Sequence, residues 1–527
     1  MVDAEGASSG PRMACPVHCL MLNDLQSKGR CMPLTPMTDT PPCAAAYGGE
    51  RFDTSYARLP QRLYARLTPT PVRRPRLVQL NAALVEELGL EATWLASAEG
   101  TAVLAGNHVP AWADPLAMAY AGHQFGHFVP QLGDGRAILL GEIVGRDGTR
   151  RDLQLKGAGR TPFSRRGDGR AALGPVLREY LMSEAMHALG IPTTRALAVV
   201  TTGEPVMRET VLPGAVLTRV AASHLRIGTF EYCAARGDHE ALTILVEYTL
   251  ARHYPALHGS PTPALALLGA VCEAHAALVA QWMQVGFIHG VMNTDNMSIA
   301  GETLDYGPCA FLDAYDPATV FSAIDQQGRY AFGNQPRIAH WNLARLAETL
   351  LPLLDANPEK ALTLAADTIS QFPARYERCW RAGMRRKLGL VREQPDDVDL
   401  IDTLLALMHA HAADYTHTFR QLCAVAEGGA APAGYEAWVT RWRTRLGHEA
   451  HTRQAAATLM RAHNPAVIPR NHRVEAVLDA AVHQGDVAPL EAFLAVLATP
   501  CAGAPHQEAY SAPPAPSERV SQTFCGT

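Results

Sequence analysis

The chain has 527 residues, of which 48% are hydrophobic and 18% are charged, and its formal net charge is −5. This balance excludes a wholly disordered chain, which needs low hydrophobicity and high net charge. It also disfavours a nucleic-acid-binding protein, because such a protein usually has a clearly basic domain. No apolar run reaches the ~18 residues that span a bilayer, since Glu273, His275 and Gln281 interrupt the most apolar window, residues 264–287. We therefore expect a soluble globular enzyme with no membrane and no nucleic-acid partner.

The cysteines and the two ends of the chain indicate the compartment. Eleven cysteines are scattered without a Cys-x-x-Cys pair, which is typical of reduced thiols and predicts a cytoplasmic protein. Residues 1–48 are rich in Pro, Ala, Gly, Ser and Thr and lack periodicity, so we expect a disordered extension. They also lack the continuous apolar stretch of a secretory signal. Residues 501–527 are rich in proline at their start, and we expect a flexible tail.

The first half of the ordered region alternates strands and helices. Leucines at helical spacing predict a helix over residues 77–88. Three stretches with strand-like patterns follow, at 137–144, 151–156 and 196–201. The last two flank a predicted helix at about 174–189, whose apolar stripe and flanking Pro and Gly are typical of a helix.

The second half is mostly helical. Helical patterns are found at the following residues: 242–254, 264–285, 340–354, 358–388 and 398–424. A small sheet-bearing lobe followed by a larger helical lobe is one way to build a nucleotide cleft. We therefore assign residues 49–236 to an N-lobe with nucleotide-binding loops, 237–400 to a helical C-lobe with the catalytic loop, and 401–500 to a C-terminal helical extension.

One short segment is strongly basic although the whole chain is acidic. Residues 150–170 hold seven basic residues against Asp152 and Asp168, a local net charge of +5, with glycines interleaved. Glycine backbone combined with cations suits phosphate, because N–H groups can approach the oxygens closely. A solvated basic loop is the alternative. The string at residues 133–137 recurs at 167–171, and its first copy precedes a strand, where either a glycine-rich nucleotide loop or a plain hairpin turn fits.

A lysine and a glutamate fit the ion pair of a kinase. Lys156 lies on a predicted strand, and Glu179 lies 23 residues later in the following helix. In kinases a strand lysine contacts the nucleotide phosphates and a helix glutamate holds it. Glu184 is the competing partner, and a surface helix charge is the alternative for either glutamate.

The strongest pattern lies at residues 289–296 and is followed by 305–307. The kinase catalytic loop reads His-x-Asp-x-x-x-x-Asn and is followed by Asp-Phe-Gly. His289 and Asn296 match the loop, and Asp305 begins an Asp-Tyr-Gly. Asn296 and Asp305 could share Mg²⁺ through hard oxygen ligands. Val291 occupies the position of the kinase base and cannot take a proton. A chance match in a loop is the alternative, which the chain order of the other motifs disfavours.

These motifs together resemble the selenoprotein O family over about residues 50–475 and the last five residues. The strings that carry the resemblance are residues 120–126, 132–136, 155–159, 167–170, 289–296 and 464–472. The resemblance implies an α+β, protein-kinase-like, two-lobed fold with a helical C-terminal extension. It also implies that ATP binds in a flipped orientation and that AMP, rather than phosphate, is transferred to protein hydroxyls.

The resemblance also implies roles for single residues. It makes Asp295 the proton acceptor, and it makes Asn296 and Asp305 ligands of Mg²⁺ or Mn²⁺. The implied nucleotide-binding residues are Gly133, Gly135, Arg136, Lys156, Asp168, Gly169, Glu179, Arg219, Arg226 and Asp305. Regulation by an internal disulfide is a further implication. Cys525 is an ordinary thiol near the position where some members carry selenocysteine, and Cys309 is the only cysteine between Asp305 and Arg337.

Three functions remain open from the sequence. The first is a protein adenylyltransferase that moves AMP from ATP to Ser, Thr or Tyr hydroxyls of proteins and releases pyrophosphate, with UMP transfer as a variant. The second is a conventional kinase acting on a protein or small molecule, which Val291 disfavours. The third is a catalytically inactive binding module. The residues that disfavour it are Lys156, Glu179, Asn296 and Asp305.

Overall fold

The strands of this protein come almost entirely from the first half of the chain. A computed structural model describes residues 51–524, so the predicted disorder of residues 1–48 and the thiol of Cys525 lie outside the described residues. The strands are β1 Phe52–Asp53, β2 Tyr64–Arg66, β3 Arg76–Leu80, β4 Leu116–Met118, β5 Gly122–Gln124, β6 His127–Val129, β7 Ala137–Val144, β8 Arg150–Lys156, β9 Ala171–Ala172, β10 Arg195–Met207, β11 Val211–Ala221, β12 Phe287–Ile288 and β13 Ala310–Phe311.

Nine of these strands form one antiparallel sheet. Its order is β2-β4-β7-β8-β11-β10-β3, with β1 paired to β7 and β9 paired to β11. Lys156 ends β8 and lies between Ala137 of β7 and Leu217 of β11. The three strands predicted at residues 137–144, 151–156 and 196–201 are therefore present: β7 and β8 are neighbours, and β11 lies between β8 and β10. The mixed α and β class is confirmed, with a large antiparallel sheet and many helices.

The helices of the described residues fill most of the second half of the chain. They are α1 Ala82–Leu88, α2 Ala92–Leu95, α3 Ala98–Leu104, α4 Leu173–Ala188, α5 Ile227–Ala234, α6 His239–His253, α7 Pro263–Val285, α8 Gln335–Leu354, α9 Pro358–Ser370, α10 Phe372–Lys387, α11 Asp397–Ala410, α12 Tyr415–Ala426, α13 Glu436–Leu446, α14 Arg453–His463, α15 Asn471–Asp479, α16 Ala488–Leu497 and α17 Glu508–Ser511.

Three predicted helices differ from the structure. The helix expected over residues 77–88 is wrong in its first part, because β3 pairs with β10 and α1 begins only after Asn81, whose side chain accepts a hydrogen bond from the Leu84 N–H. The pattern at 358–388 is two helices, α9 and α10, and the second begins with a proline in its first turn. The pattern at 398–424 is also two helices, separated at Ala412, which has a positive φ of 45°.

Helix α7 forms the centre of the helical half. It is long and apolar enough to span a membrane, but 56% of its most apolar window is buried inside the fold. Trp282 of α7 is 1% exposed, and its indole N–H donates to Thr303 Oγ1 at 2.9 Å. A core helix of this kind is apolar because protein surrounds it.

Buried ion pairs join the sheet to the helices. Arg252 of α6 lies 2.6 Å from Asp152 and 3.0 Å from Glu142, two carboxylates on neighbouring strands.

Near the C-terminus, the backbone carbonyl of Thr523 accepts a hydrogen bond from the N–H of Ala323 at 3.1 Å. The flexibility of the tail and the domain boundaries at residues 236, 400 and 500 stay predictions.

Candidate active site

Most of the predicted site residues line a single cavity of about 580 Å³. They come from the loop before β7, the end of β8, the basic loop after β8, strand β11, the start of α5, and the segment between β12 and β13. The predicted residues that line it are Gly133, Gly135, Arg136, Lys156, Asp168, Gly169, Arg219, Arg226, Asp295, Asn296 and Asp305. Glu179 does not line this cavity and lies behind it.

A buried cluster of charges forms one wall of the cavity. Glu179 Oε2 lies 2.5 Å from Lys156 Nζ, and its other oxygen accepts a hydrogen bond from Arg219. Asp305 Oδ1 lies 3.7 Å from Lys156 Nζ and 3.8 Å from Arg219 Nη2. The other candidate, Glu184, pairs with Arg195 instead, at 2.7 Å. The lysine therefore has the helix partner that the kinase pattern predicted.

The cations of this cluster keep both carboxylates ionised. Burial raises the pKa of Glu179, but Arg219 and Lys156 outweigh it and hold that pKa below the usual value. Burial also acts against ionised Asp305, yet Lys156 and Arg219 hold its pKa well below the usual range. Opposite charges at this distance favour the charged form, so the Asp305 carboxyl is ionised at neutral pH.

Asp305 is held in an unusual conformation. Its φ is +71°, a left-handed value that non-glycine residues rarely adopt. Its Oδ1 atom is buried and has no hydrogen-bond partner within residues 51–524. Strained residues of this kind cluster at functional sites, and the unused oxygen is available to a cation.

The catalytic-loop segment is fixed by hydrogen bonds from its own residues. His289 lies 3.0 Å from the carbonyl of Leu304, next to Asp305. Asn296 donates through Nδ2 to the carbonyl of Val291 at 3.0 Å. The amide nitrogen is thereby occupied, which leaves the Asn296 oxygen as the atom able to bind a metal.

Asp295 lies in a tight and buried setting. Its Oδ1 is buried without a partner among the described residues, and its Oδ2 accepts a hydrogen bond from Gln124 at 3.2 Å. A Cβ added at Gly122 would lie 2.6 Å from Asp295 Oδ1, so only glycine fits there. Arg226 donates to the Asp295 carbonyl at 2.6 Å. Burial raises the pKa of the Asp295 carboxyl to about 6, a value suited to a general base.

The two glycine loops pack against each other. Gly133 has a φ of +115°, and a Cβ there would lie 2.4 Å from the ring of Phe163 in the basic loop. The N–H of Gly159 donates to the carbonyl of Gly169 at 3.0 Å, which folds the basic loop back on itself. The glycines of the repeated string thus allow the two loops to pack closely. They also leave backbone N–H groups without a side chain in front of them.

Cations without carboxylate partners line the cavity. Arg136, Arg165 and Arg166 line it and have no ion pair within residues 51–524. Asp168, expected to contact the nucleotide, lines the cavity, and its partly exposed carboxylate pairs with Arg208 at 2.9 Å. Unpaired arginines in a cavity suit a polyanion, because each guanidinium offers several donors to phosphate.

Several lining residues had no predicted role. Gln124 and Tyr120 belong to the string at 120–126, which carried the family resemblance but no assigned chemistry. The Arg226 guanidinium lies 4.6 Å from the centre of the Tyr120 ring. Phe163 belongs to the basic loop but had no assigned role. Arg208 carries no local sequence signal, since only the tertiary fold brings it to the cavity.

No group of three His, Cys, Asp or Glu residues within 51–524 is arranged to hold a metal. A metal in this cavity would depend on Asn296, Asp305 and oxygens of a bound ligand. The two side chains supply hard oxygen atoms, which Mg²⁺ and Mn²⁺ prefer.

Comparison with known proteins decides the family. The family model described as protein adenylyltransferase SelO matches residues 49–498. The chain belongs to this family. Two relatives named protein nucleotidyltransferase YdiU are each 59% identical: one from Rhizobium johnstonii covers 90% of this chain and 97% of the relative, and one from Geobacillus kaustophilus covers 91% and 99%. A third of the same name, from Rhizobium rhizogenes, is 57% identical over 94% of this chain.

The resemblance to this family is thereby confirmed, and so is the prediction of a nucleotidyltransferase. Of the strings that carried the resemblance, residues 464–472 lie outside the cavity. Asn471 accepts from the Phe311 N–H at 3.2 Å and donates to its carbonyl at 3.0 Å. Arg470 lies 2.6 Å from Asp313 and 2.8 Å from Asp414. This string therefore supports the strand that follows Asp305.

Proposed function

We propose that this protein transfers AMP from ATP to Ser, Thr or Tyr hydroxyls of other proteins and releases pyrophosphate. The observation that carries the proposal is the cavity shared by a polyanion-binding set of arginines and a buried carboxylate with a raised pKa. Arg136, Arg165 and Arg166 suit the triphosphate, and Asp295 suits the incoming hydroxyl. The names of the similar nucleotidyltransferases support the same reaction.

Each group has a separate role in the reaction. The hydroxyl oxygen bonds to the α-phosphorus, the bond from that phosphorus to the pyrophosphate oxygen breaks, and the hydroxyl proton moves to Asp295. Lys156, held by Glu179, and Arg219 bind the phosphate oxygens and stabilise the charge that develops on them. Because phosphorus chemistry depends mostly on positioning and electrostatics, valine at position 291 does not prevent it.

A divalent cation fits the same site. Asn296 and Asp305 would hold Mg²⁺ or Mn²⁺, which when bound would neutralise phosphate charge. The buried Asp305 oxygen without a partner and the fixed amide of Asn296 support this assignment.

We also infer a protein-kinase-like, two-lobed arrangement with the nucleotide reversed. The pair of Lys156 with Glu179 and the position of Asp305 support the kinase-like arrangement. Arginines on two separate loops, Arg136 before β7 and Arg165 with Arg166 after β8, support a triphosphate held differently from that of a kinase. The six cysteines of the described residues are free thiols, which supports a cytoplasmic location.

The experiment compares ATP labelled at the α-phosphate with ATP labelled at the γ-phosphate, using a mixture of acceptor proteins, Mg²⁺ and the full chain. We expect the α label alone to be retained on protein. Retention of the γ label alone would show a kinase, and no label together with no ATP binding would show an inactive module. UTP labelled at the α-phosphate, run beside ATP, measures the nucleotide preference. Asp305→Ala should abolish transfer while the chain remains folded, and normal activity in that variant would contradict the proposed metal site.

A further inference from the structure

A second cavity lies away from the nucleotide site, between α7, α10 and the end of α14. Its volume is about 490 Å³, within the ~300–1,000 Å³ that ligand pockets occupy. Its walls include Arg378, Arg386, Lys387 and His463 together with apolar side chains. No Asp or Glu is among its lining residues in the part of the chain that the structure describes.

Lys387 is the central feature of this cavity. The residue is 3% exposed, and no carboxylate of residues 51–524 pairs with its amine. The amine lies 4.1 Å from the centre of the Phe419 ring and 5.5 Å from that of Tyr415. Burial lowers the pKa of the Lys387 amine to about 7. A buried charge without an anionic partner destabilises a fold. The stability of the fold therefore does not explain why Lys387 is buried.

The choice of lysine at this position is also informative. Only four of the 46 basic residues of the chain are lysines: Lys28, Lys156, Lys360 and Lys387. Arginine keeps its charge when buried, whereas lysine can lose its proton and react or bind as a neutral amine. An amine that changes charge near neutral pH can therefore respond to a ligand.

The rest of the cavity completes a binding site. Arg386 is exposed at its edge and has no ion pair within the described residues, while Arg378 lies 2.7 Å from Glu273. Gln281 Oε1 is buried without a partner and can accept one hydrogen bond from a ligand. Leu189, Ile191 and neighbouring alanines supply apolar walls.

We propose that this cavity is a second ligand site, which binds a small organic anion with a phosphate or carboxylate group and an apolar body. The anionic group lies between Lys387 and Arg386, and the apolar body packs on the wall between α7 and the turn after α4. Binding of an anion at this second site does not require the proposed nucleotidyl transfer. It lies against α7, the helix that leads directly into the segment carrying His289.

The test uses pyridoxal 5′-phosphate as a probe, because its aldehyde reports the amine and its phosphate reports the anion site. The neutral amine condenses with the aldehyde to an imine and water, and added borohydride reduces the imine to a stable secondary amine. Peptide mass spectrometry then assigns each adduct to one of the four lysines. We expect labelling at Lys387 at lower probe concentration than at the exposed Lys360, and we expect inorganic phosphate to compete.

A matched variant separates anion binding from simple amine reactivity. Arg386→Gln should raise the half-saturating concentration of pyridoxal 5′-phosphate at Lys387 roughly tenfold, as expected for one charge-assisted hydrogen bond. It should leave labelling by pyridoxal, which lacks the phosphate, unchanged. If pyridoxal labels Lys387 as readily as its phosphate, or if Lys360 reacts first, the anion site is wrong.

A second variant tests whether the amine is unpartnered in the folded chain. Lys387→Met removes the buried charge and keeps the length of the side chain, so we expect a higher melting temperature at pH 6. The difference should shrink as the pH rises above about 7, where the parent amine becomes neutral. A lower melting temperature in the variant would show that the amine has a partner, which would overturn the assignment.

Discussion

Replacing Asp295 by Asn tests the proposed proton acceptor most directly. The substitution keeps the shape of the side chain and its contact with Gly122, but it removes the charge. Because the carboxyl must be ionised to accept a proton, activity of the parent should fall as the pH drops through about 6, the pKa to which burial raises Asp295. We expect Asp295→Asn to lower kcat by about 10²–10⁴-fold and to remove this acidic limb.

The same substitution should stabilise the protein. The pKa of Asp295 rises from 3.8 to about 6 on folding, and a shift of about two units corresponds to about 3 kcal/mol. The folded state binds a proton more tightly than the unfolded state, so ionised Asp295 destabilises the fold above pH 6 and has no such effect below about pH 4. Asp295→Asn should therefore gain up to about 3 kcal/mol at pH 8, and this gain should disappear as the pH falls from 6 to 4.

Two assays on the same proteins check both effects. Transfer of the α label from ATP is measured between pH 5 and 9, and urea unfolding is measured at pH 8 and pH 4. Asp168→Asn is the matched control, because Asp168 lines the same cavity but is partly exposed and pairs with Arg208. It should leave the acidic limb in place. An Asp295→Asn enzyme that keeps a limb near pH 6, or that is less stable at pH 8, would refute the role of Asp295.

Two further substitutions test the packing around the site. Gly122→Ala places a methyl group 2.6 Å from Asp295 Oδ1, so kcat should fall up to ~10²-fold through misplacement; Gly269→Ala, with no atom near the added methyl, is the control and should leave kcat unchanged. Glu179→Gln leaves Lys156 and Arg219 without their buried partner, so the free energy of unfolding should fall by about 3–5 kcal/mol. A loss below about 1 kcal/mol in urea unfolding would show that the three groups are not coupled.

The parts of the site that depend on local order could be predicted from the sequence. Lys156 lies on a strand and Glu179 lies in the helix that follows, so their order along the chain predicts the pair. The structure was needed only to exclude Glu184 as the partner. Asn296 and Asp305 were identified because the loop and the tripeptide keep their kinase order. The spacing along the chain determines the contact of Lys156 with Glu179, and it brings Asn296 and Asp305 to the same cavity.

The remaining parts depend on tertiary contacts that spacing does not encode. Leu77 and Leu80 have helical spacing with the leucines that follow, but pairing of β3 with β10 provides their hydrogen bonds and overrides that pattern. Arg208 lies 40 residues from Asp168 and reaches it only through the turn between β10 and β11. The second cavity could not be predicted from the sequence either, because five separate segments form it. In the sequence, Lys387 resembles an ordinary basic residue at the end of a helix.

Buried charges in this protein differ in how they are compensated. Arg252 has Asp152 and Glu142 as partners, so this buried residue links α6 to the sheet. Asp295 and Lys387 have no opposite charge within hydrogen-bonding distance among residues 51–524, and burial moves the pKa of each towards neutrality, to about 6 and about 7. Groups of this second kind destabilise the fold, but they can exchange a proton at physiological pH. The same physical criterion therefore identifies Asp295 in the cavity that the family predicts and Lys387 in one that it does not.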